Sequence, residues 1–204
     1  MNPIRNIIFD FGDVFINLDK SAPERCLNEL GVFELDKKTL RIHEDYEKGL
    51  FSTEEFIEYH TEKFPQLTDV DFISAWNSIL KDFPKYRLDF LKEIKESEKF
   101  NLFLLSNTNN LHMKWVEENI NFYKEFKSCF DVFYLSYEIN LRKPNEDIFQ
   151  FVLKQNNLQA QDTLFIDDTE EHIKSAKHLN IQTWHLQAGQ EDIVDLFKQN
   201  NLNF

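Results

Sequence analysis

A small set of acidic and polar residues in this 204-residue chain stands at or near the ends of short apolar runs. Three carboxylates, a hydroxyl and an amine are suited to phosphoryl transfer, because fixed donors and cations can stabilise the charge that develops on the transferred group. The residues are Asp10, Ser106, Asp167 and Asp168 at the ends of the runs, and Lys143 just before a helix-forming stretch.

The three aspartates can divide between metal binding and covalent chemistry. Magnesium prefers hard oxygen ligands, usually one or two carboxylates together with water and substrate phosphate. Asp10, Asp167 and Asp168 fit that requirement. An ionised Asp10 can also attack phosphorus, because a carboxylate nucleophile needs no separate base. Ser106 and Lys143 are then the candidates for stabilising the transferred group.

The apolar runs predict the strands that must position these residues. Three of them are continuous and of strand length, as expected for strands buried on both faces. Two weaker runs lie between helical stretches, which completes a β-α-β-α alternation and predicts an α/β fold with a mostly parallel sheet. Ligands bind outside the carboxyl ends of such strands, so the polar residues should converge on one rim. The five predicted strands are 6–10, 102–106, 132–135, 163–167 and 181–185.

The stretch between the first two predicted strands has helical character. Ser52 and Thr68 are each followed three positions later by an acidic residue, which is the spacing of a capped helix start. Residues 15–84 are therefore predicted to form a helical insertion after the first strand. Further helices are predicted over 86–98, from Pro144 in a first turn where a missing N–H costs little, and over 191–201.

Composition and charge narrow the class of partner. The formal net charge of −13 repels phosphate backbones and anionic lipid, so neither nucleic acid nor a membrane is expected as a partner. A phosphate site in such a field needs its own positive charge from a metal ion, Lys or Arg. No apolar run reaches the ~20 residues of a spanning helix and no targeting segment is evident, so a cytoplasmic protein is expected. Cys26 and Cys129 lie far apart without metal-ligand spacing, so buried thiols are expected.

Four segments together resemble the motifs of the haloacid dehalogenase-like (HAD) superfamily, in the same order. The resemblance spans essentially the whole chain. It implies a Rossmann-like, doubly wound core over 1–14 and 85–204, with an inserted α-helical cap over 15–84. The segments are Phe9-Asp10-Phe11-Gly12-Asp13-Val14, Leu105-Ser106-Asn107-Thr108, Arg142-Lys143-Pro144 followed by Ile148-Phe149, and Phe165-Ile166-Asp167-Asp168.

The resemblance also implies an activity and a set of roles. The protein is expected to be a magnesium-dependent phosphatase for a small phosphorylated metabolite, such as a sugar phosphate, and to be a monomer or weak homodimer. Asp10 is expected to be the nucleophile. Phosphate binding falls to Ser106, Asn107 and Lys143, and metal binding to Asp10, Asp167, Asp168 and the Gly12 carbonyl.

Gly12 departs from the pattern of most phosphatases that the chain resembles. They carry there a second Asp, which acts as general acid on the leaving group. Losing such an acid costs typically ~10²- to 10⁴-fold in rate. The expected substrate therefore has a leaving group that departs easily, as in sugar 1-phosphates, aryl phosphates or acyl phosphates. Asp13 is a weak substitute, because a one-residue offset should turn it away from phosphorus. A group of HAD proteins resembling small sugar-phosphate phosphatases also carries Gly at this position, so the departure does not by itself imply an inactive enzyme.

Three other functions can be set beside the phosphatase. Gly12 favours a catalytically weak HAD-like protein that binds a phosphorylated ligand or protein partner for regulation. A phospho-accepting receiver domain would place its acidic pair near the N-terminus and has no helical insertion, so the motif order argues against it. A dehalogenase also uses an Asp nucleophile, but the Asp167–Asp168 pair and the metal that it implies disfavour carbon–halogen chemistry.

Several residues have a structural interpretation beside the functional one. Asp10 could begin a turn, and Asp167–Asp168 could be an exposed pair that caps a helix. Asn109 is expected to make an Asx turn rather than to contact substrate. Arg142 and His172 could face either the site or solvent. The segment 44–47 is expected to be the solvated face of a cap helix, although a cap residue there could contact substrate.

Overall fold

The computed structural model describes residues 3–200, and within them five strands and eleven α-helices are found. The strands are β1 (Asn6–Phe9), β2 (Asn101–Ser106), β3 (Val132–Leu135), β4 (Thr163–Asp167) and β5 (Gln182–His185). The helices are α1 (Ala22–Glu29), α2 (Lys37–Glu47), α3 (Thr53–Lys63), α4 (Asp69–Asn77), α5 (Lys85–Glu96), α6 (Asn110–Asn119), α7 (Tyr123–Ser128), α8 (Ser136–Ile139), α9 (Glu146–Gln155), α10 (Glu170–His178) and α11 (Leu196–Asn200).

The five described strands form one parallel sheet in the order β3-β2-β1-β4-β5. β1 is central, and its Ile8 is level with Phe103 of β2 on one side and Phe165 of β4 on the other. All four residues of β1 are buried, as expected when both faces of a strand are covered. The predicted α/β fold with a parallel sheet is confirmed.

Helices cover both faces of the sheet. Successive strand residues point to opposite faces, so a strand whose residues are all buried packs against helices on both sides. On one face Ile7 and Phe9 of β1 share a core with α5, α6 and α7, and that core is rich in phenylalanine. On the other face Ile8 packs in a second core with residues of α9 and α10. The doubly wound arrangement leaves the carboxyl ends of the strands as the open rim.

Helices α1 to α4 share a separate hydrophobic core, to which Leu111 of α6 also contributes. In this core Tyr46 stacks on Phe56 with ring centroids 3.9 Å apart. Capping boxes at Ser52 and Thr68 start α3 and α4, as predicted. The segments that enter and leave this helical unit run side by side, with an isolated antiparallel bridge between Leu18 and Leu80. The unit therefore connects to the sheet through two paired segments.

Two predicted helix positions differ from the structure. The helix expected to contain Pro144 in its first turn begins at Glu146, with Asn145 as N-cap, and Pro144 lies in the preceding turn after a cis peptide bond. The backbone at Lys143 is bonded to the Asn107 side chain on both its N–H and its carbonyl, which takes this segment out of the helix. The predicted tail helix is a 3-10 turn (Ile193–Asp195) followed by α11, and residue 201 lies outside the described residues.

Residues 3–200 contain no helix that combines the length and the apolar character needed to cross a bilayer.

Candidate active site

A buried lysine joins two carboxylates at the open rim of the sheet. The Nζ atom of Lys143 donates to Oδ1 of Asp10 at 2.7 Å and to Oδ2 of Asp167 at 2.6 Å. Asp10 follows β1, Asp167 ends the adjacent β4, and both are buried with Lys143. The parallel register therefore brings together residues that lie more than 130 positions apart in the sequence.

The turn that carries Lys143 is held against the loop after β2. The Asn107 side chain accepts from the backbone N–H of Lys143 at 2.9 Å and donates to its carbonyl at 2.8 Å. Ser106, at the end of β2, is buried and lies on the wall of the same cavity. Asn107 thus positions the lysine, and Ser106, Asn107 and Lys143, the three residues predicted to bind phosphate, all line this cavity.

Asp167 and Asp168 occupy different environments although they are adjacent. Asp167 is fully buried, and its two oxygens contact Lys143, His172 and the backbone N–H of Thr169. Asp168 instead faces the cavity, where Oδ2 accepts from Lys20 Nζ at 2.5 Å. The interpretation of this pair as exposed helix caps is therefore wrong for Asp167.

Burial and the shared lysine act differently on the two partners of Lys143. Burial raises the pKa of the Asp10 carboxyl above its usual range, although the Lys143 ammonium works in the opposite direction. Burial also works to raise the pKa of Asp167, but Lys143 and His172 outweigh it and hold that pKa below its usual range. Asp167 is therefore the ionised partner of Lys143, whereas the ionised form of Asp10 would be stabilised by further positive charge nearby.

Three aspartates at this rim form a set that fits a divalent cation. Asp10, Asp167 and Asp168 each offer a carboxylate oxygen, and these oxygens lie within 4.8 Å of one another. Hard oxygen donors at this spacing are the ligands that magnesium prefers. Oδ2 of Asp10 has no hydrogen-bond partner within residues 3–200. A cation bound there would compensate the negative charge of the Asp10 carboxylate.

These residues line a cavity of about 310 Å³ between the rim and the helical unit. Its floor carries the predicted site residues Asp10, Gly12, Ser106, Asn107, Lys143 and Asp168. Its other walls carry residues that the sequence analysis did not select as site residues: Lys20, Glu47, Ile79 and Leu80 of the predicted insertion, and His112 of α6. Packing between distant segments sets the direction of these side chains, so local spacing could not predict it.

There is little space for a side chain at position 12, where the missing acid would stand. A Cβ atom built on Gly12 would lie 2.7 Å from Cδ1 of Leu18 and 3.9 Å from Oδ2 of Asp10. Asp13 does not replace the acid, because its Oδ1 accepts from the backbone N–H of Leu18 and its Oδ2 contacts Lys20 at 3.0 Å. Its left-handed φ of 54° belongs to this tight turn. Asp13 therefore holds the turn together.

The remaining single-residue interpretations have mixed outcomes. Asn109 is buried and caps α6 through His112, as expected for a structural role. His172 and Arg142 both line the cavity. The prediction that 44–47 is a solvated face is wrong in part, because Tyr46 is buried in the core of the helical unit and Glu47 faces the cavity.

A sequence model of haloacid dehalogenase-like hydrolases matches residues 4–180. A D-ribitol-5-phosphate phosphatase of Bacteroides thetaiotaomicron is 29% identical over 194 residues, which cover 91% of this chain and 93% of the relative. A HAD family enzyme of Bacteroides thetaiotaomicron, crystallised with magnesium, is 37% identical with a TM-score of 0.87, over 97% of this chain and 100% of that one. The wild-type form of that enzyme with magnesium and inorganic phosphate is 36% identical with a TM-score of 0.81, over 92% and 96%. The chain belongs to the haloacid dehalogenase-like hydrolase family.

Proposed function

We propose that this protein is a magnesium-dependent phosphatase that hydrolyses a small phosphorylated metabolite through a phospho-aspartate on Asp10. The observation that carries the proposal is the fully buried Lys143, which contacts Asp10 and Asp167 at the floor of a cavity. Burying an ammonium between two carboxylates carries a desolvation cost, and buried ionisable groups that line a cavity are typical of functional sites. A phosphate group bound beside the nucleophile would interact with this positive charge.

The proposed reaction runs in two displacements at phosphorus. In the first, a carboxylate oxygen of Asp10 attacks, the bond from phosphorus to the leaving oxygen breaks, and that oxygen takes its proton from water, because Gly12 has no acid to offer. In the second, water attacks the phospho-aspartate, which releases phosphate and restores the Asp10 carboxylate. Lys143 and the Ser106 hydroxyl stabilise the negative charge on the transferred group in both steps.

Asp10 and Asp168 are the proposed direct magnesium ligands, with the Gly12 carbonyl as a further candidate. Asp167 positions Lys143, since both of its oxygens are already engaged. When bound, magnesium would neutralise charge on the phosphate and on Asp10. The enzyme with magnesium and phosphate to which this chain is 36% identical supports magnesium as the cation.

The helical unit over 15–84 is proposed to be the cap that selects the substrate, and 1–14 with 85–204 to be the core. The cavity supports this division because it has walls from both. A volume of about 310 Å³ is at the small end for ligand pockets, which range from about 300 to 1,000 Å³. A sugar or polyol phosphate is the proposed substrate class, and the D-ribitol-5-phosphate phosphatase at 29% identity supports it.

The proposal also covers location and partners. The net charge of −13 supports a protein that binds neither nucleic acid nor anionic membranes. We expect it to act in the cytoplasm as a monomer or weak homodimer. Its partner is then the phosphorylated metabolite itself, which the local charge of Lys143 and the bound cation admit into an otherwise repulsive field.

Phosphate release from D-ribitol 5-phosphate, sugar 1-phosphates, sugar 6-phosphates and p-nitrophenyl phosphate tests this proposal. We expect turnover that requires magnesium, is abolished by EDTA, and falls at least about 10³-fold in Asp10→Asn, because a nucleophile is lost. Asp89→Asn, in an exposed ion pair with Lys85, is the matched control and should retain turnover.

A second function, a phosphate-ligand binding regulator, is favoured by Gly12. It predicts binding of D-ribitol 5-phosphate and magnesium by calorimetry without turnover of any substrate in the panel. Turnover that survives Asp10→Asn would contradict the phospho-aspartate, whereas binding without turnover would replace the phosphatase by the regulator.

A further inference from the structure

An ion pair between the helical unit and the core lines the cavity beside the predicted phosphate site. Nε and Nη2 of Arg142 donate to the same Glu47 oxygen, Oε2, at 3.0 and 2.8 Å. Glu47 is the last residue of α2, and Arg142 directly precedes Lys143. Both side chains lie on the cavity wall. A carboxylate and a guanidinium therefore stand next to the position where the proposed substrate's leaving group would extend.

The pair retains hydrogen-bonding capacity toward the cavity. Oε1 of Glu47 accepts no hydrogen bond within the described part of the chain, and the only described partner of Arg142 Nη1 is Oε1 of Glu44, at 3.7 Å. An oxygen acceptor beside an N–H donor matches a hydroxyl, which can donate to one and accept from the other. Ile79 and Leu80 supply apolar wall nearby. This is the surface that a carbon chain bearing hydroxyls would need.

The pair is held rigidly by the junction between α2 and α8. Gly49 has a left-handed φ of 68°, and a Cβ atom built on it would lie 2.1 Å from the backbone oxygen of Tyr137, so the two backbones are in close contact. Nδ2 of Asn140 donates to the carbonyl of Lys48 at 2.7 Å. The end of α2 is thus anchored to the core within two residues of Glu47. Groups held in place before binding lose less entropy when the ligand arrives.

We propose that Glu47 and Arg142 are specificity-determining residues that bind hydroxyl groups of a sugar or polyol leaving group and disfavour substrates with a second anionic group. The inference rests on the proposed function and names the chemistry of its substrate. The Glu47 carboxylate offsets the attraction of the Arg142 guanidinium for a second phosphate, while Lys143 and a cation held by the aspartates would bind the first. Burial raises the pKa of Glu47 although Arg142 opposes it, so the charge depends on the pair being intact.

The test compares Glu47→Gln with wild type on three substrates. The isosteric change removes the charge and keeps an acceptor. We expect kcat/KM for D-ribitol 5-phosphate, divided by kcat/KM for p-nitrophenyl phosphate, to fall roughly five- to tenfold, the difference between charged and neutral hydrogen bonds. The same ratio for fructose 1,6-bisphosphate should rise. Glu44→Gln is the matched control, since Glu44 also neighbours Arg142 but does not line the cavity.

A binding measurement separates this proposal from the phosphatase proposal. In an Asp10→Asn background with magnesium, Glu47→Gln should weaken D-ribitol 5-phosphate binding more than inorganic phosphate binding, whether or not the wild type turns over. The proposal would be overturned if Glu47→Gln left the ratio of the two binding constants and the ratios of kcat/KM among the three substrates unchanged. Equal losses for all ligands and substrates would assign Glu47 to cap closure alone, and the absence of any loss would assign it no role in binding. Thermal unfolding of each variant checks the fold.

Discussion

Lys143 and Asp10 form a buried ion pair at the centre of the sheet's open rim, with Nζ of Lys143 2.7 Å from Oδ1 of Asp10 and no solvent contact for the lysine. Asp167 shares the same ammonium at 2.6 Å. Two carboxylates on one lysine leave a local excess of negative charge. Further positive charge is therefore needed to balance the two carboxylates, and a divalent cation would provide it.

Replacing Lys143 by Met should harm both activity and stability. Removing one partner of a buried ion pair typically costs about 3–5 kcal/mol in the free energy of unfolding. We expect urea unfolding in EDTA to show a loss of that order, and phosphate release to fall at least about 10²-fold. Lys174→Met, in an exposed pair with Glu170, is the control and should change the free energy of unfolding far less than Lys143→Met, because exposed pairs contribute little. Equal stability of the two variants would contradict the buried pair.

Restoring an acid at position 12 should change which leaving groups the enzyme accepts. The nearest obstacle to a side chain there is the terminal Cδ1 of Leu18, which Leu18→Ala removes. We expect Gly12→Asp with Leu18→Ala to raise the rate on alkyl phosphates, relative to p-nitrophenyl phosphate, by at least about tenfold, because general acids contribute about 10²–10⁴. Gly12→Asn with Leu18→Ala has the same shape without the acid. Identical substrate profiles for the two double variants would count against this view.

Gly49→Ala should loosen the contact between the helical unit and the core. The new methyl would meet the Tyr137 carbonyl at 2.1 Å in addition to a strained φ of 68°. We expect a loss of at least about 2 kcal/mol in the free energy of unfolding by urea. Gly189→Ala has a similar φ of 77° but nothing within 4 Å of the methyl, so it measures the conformational part alone. Losses of equal size in both would show that the contact with Tyr137 is relaxed.

Two buried histidines make the helical unit sensitive to acid. His60 Nδ1 lies 2.8 Å from the carbonyl of Phe56, so Nδ1–H donates to that carbonyl, and Nε2 of a neutral His60 must accept from Nε2–H of His43 at 2.9 Å. Burial lowers the pKa of His43 to about 3 and that of His60 to about 4. Both therefore remain neutral in the folded state where the unfolded chain is already protonated.

Stability should consequently fall as the pH drops below about 6.5, the ordinary pKa of His, toward the lowered folded values. In that window the unfolded state binds more protons than the folded state. Between pH 6.5 and pH 5 each histidine should cost up to about 2 kcal/mol in the free energy of unfolding. We expect the slope of the free energy of unfolding against pH, measured by urea unfolding across this range, to be smaller in His43→Leu than in the wild type. His178→Gln, at an exposed position, should keep the wild-type slope.

The sequence alone was sufficient to predict the sheet and the residues at its rim. Continuous apolar runs indicate strands buried on both faces, and the carboxyl ends of parallel strands meet at one edge. Asp10 and Asp167 therefore had to lie close together once the strands were identified, and the structure places them on one lysine. The order of the four motifs then indicated the family.

Tertiary structure decided which residues complete the cavity and how the carboxylates divide. Glu47 was predicted to face solvent from its acidic neighbours, but packing of α2 against α8 turns it toward Arg142. Adjacent Asp167 and Asp168 differ because successive residues at a strand end point to opposite sides. Pro144 lies outside its predicted helix because Asn107 binds the Lys143 backbone. Local spacing encodes elements, whereas contacts between distant segments set the direction of each side chain.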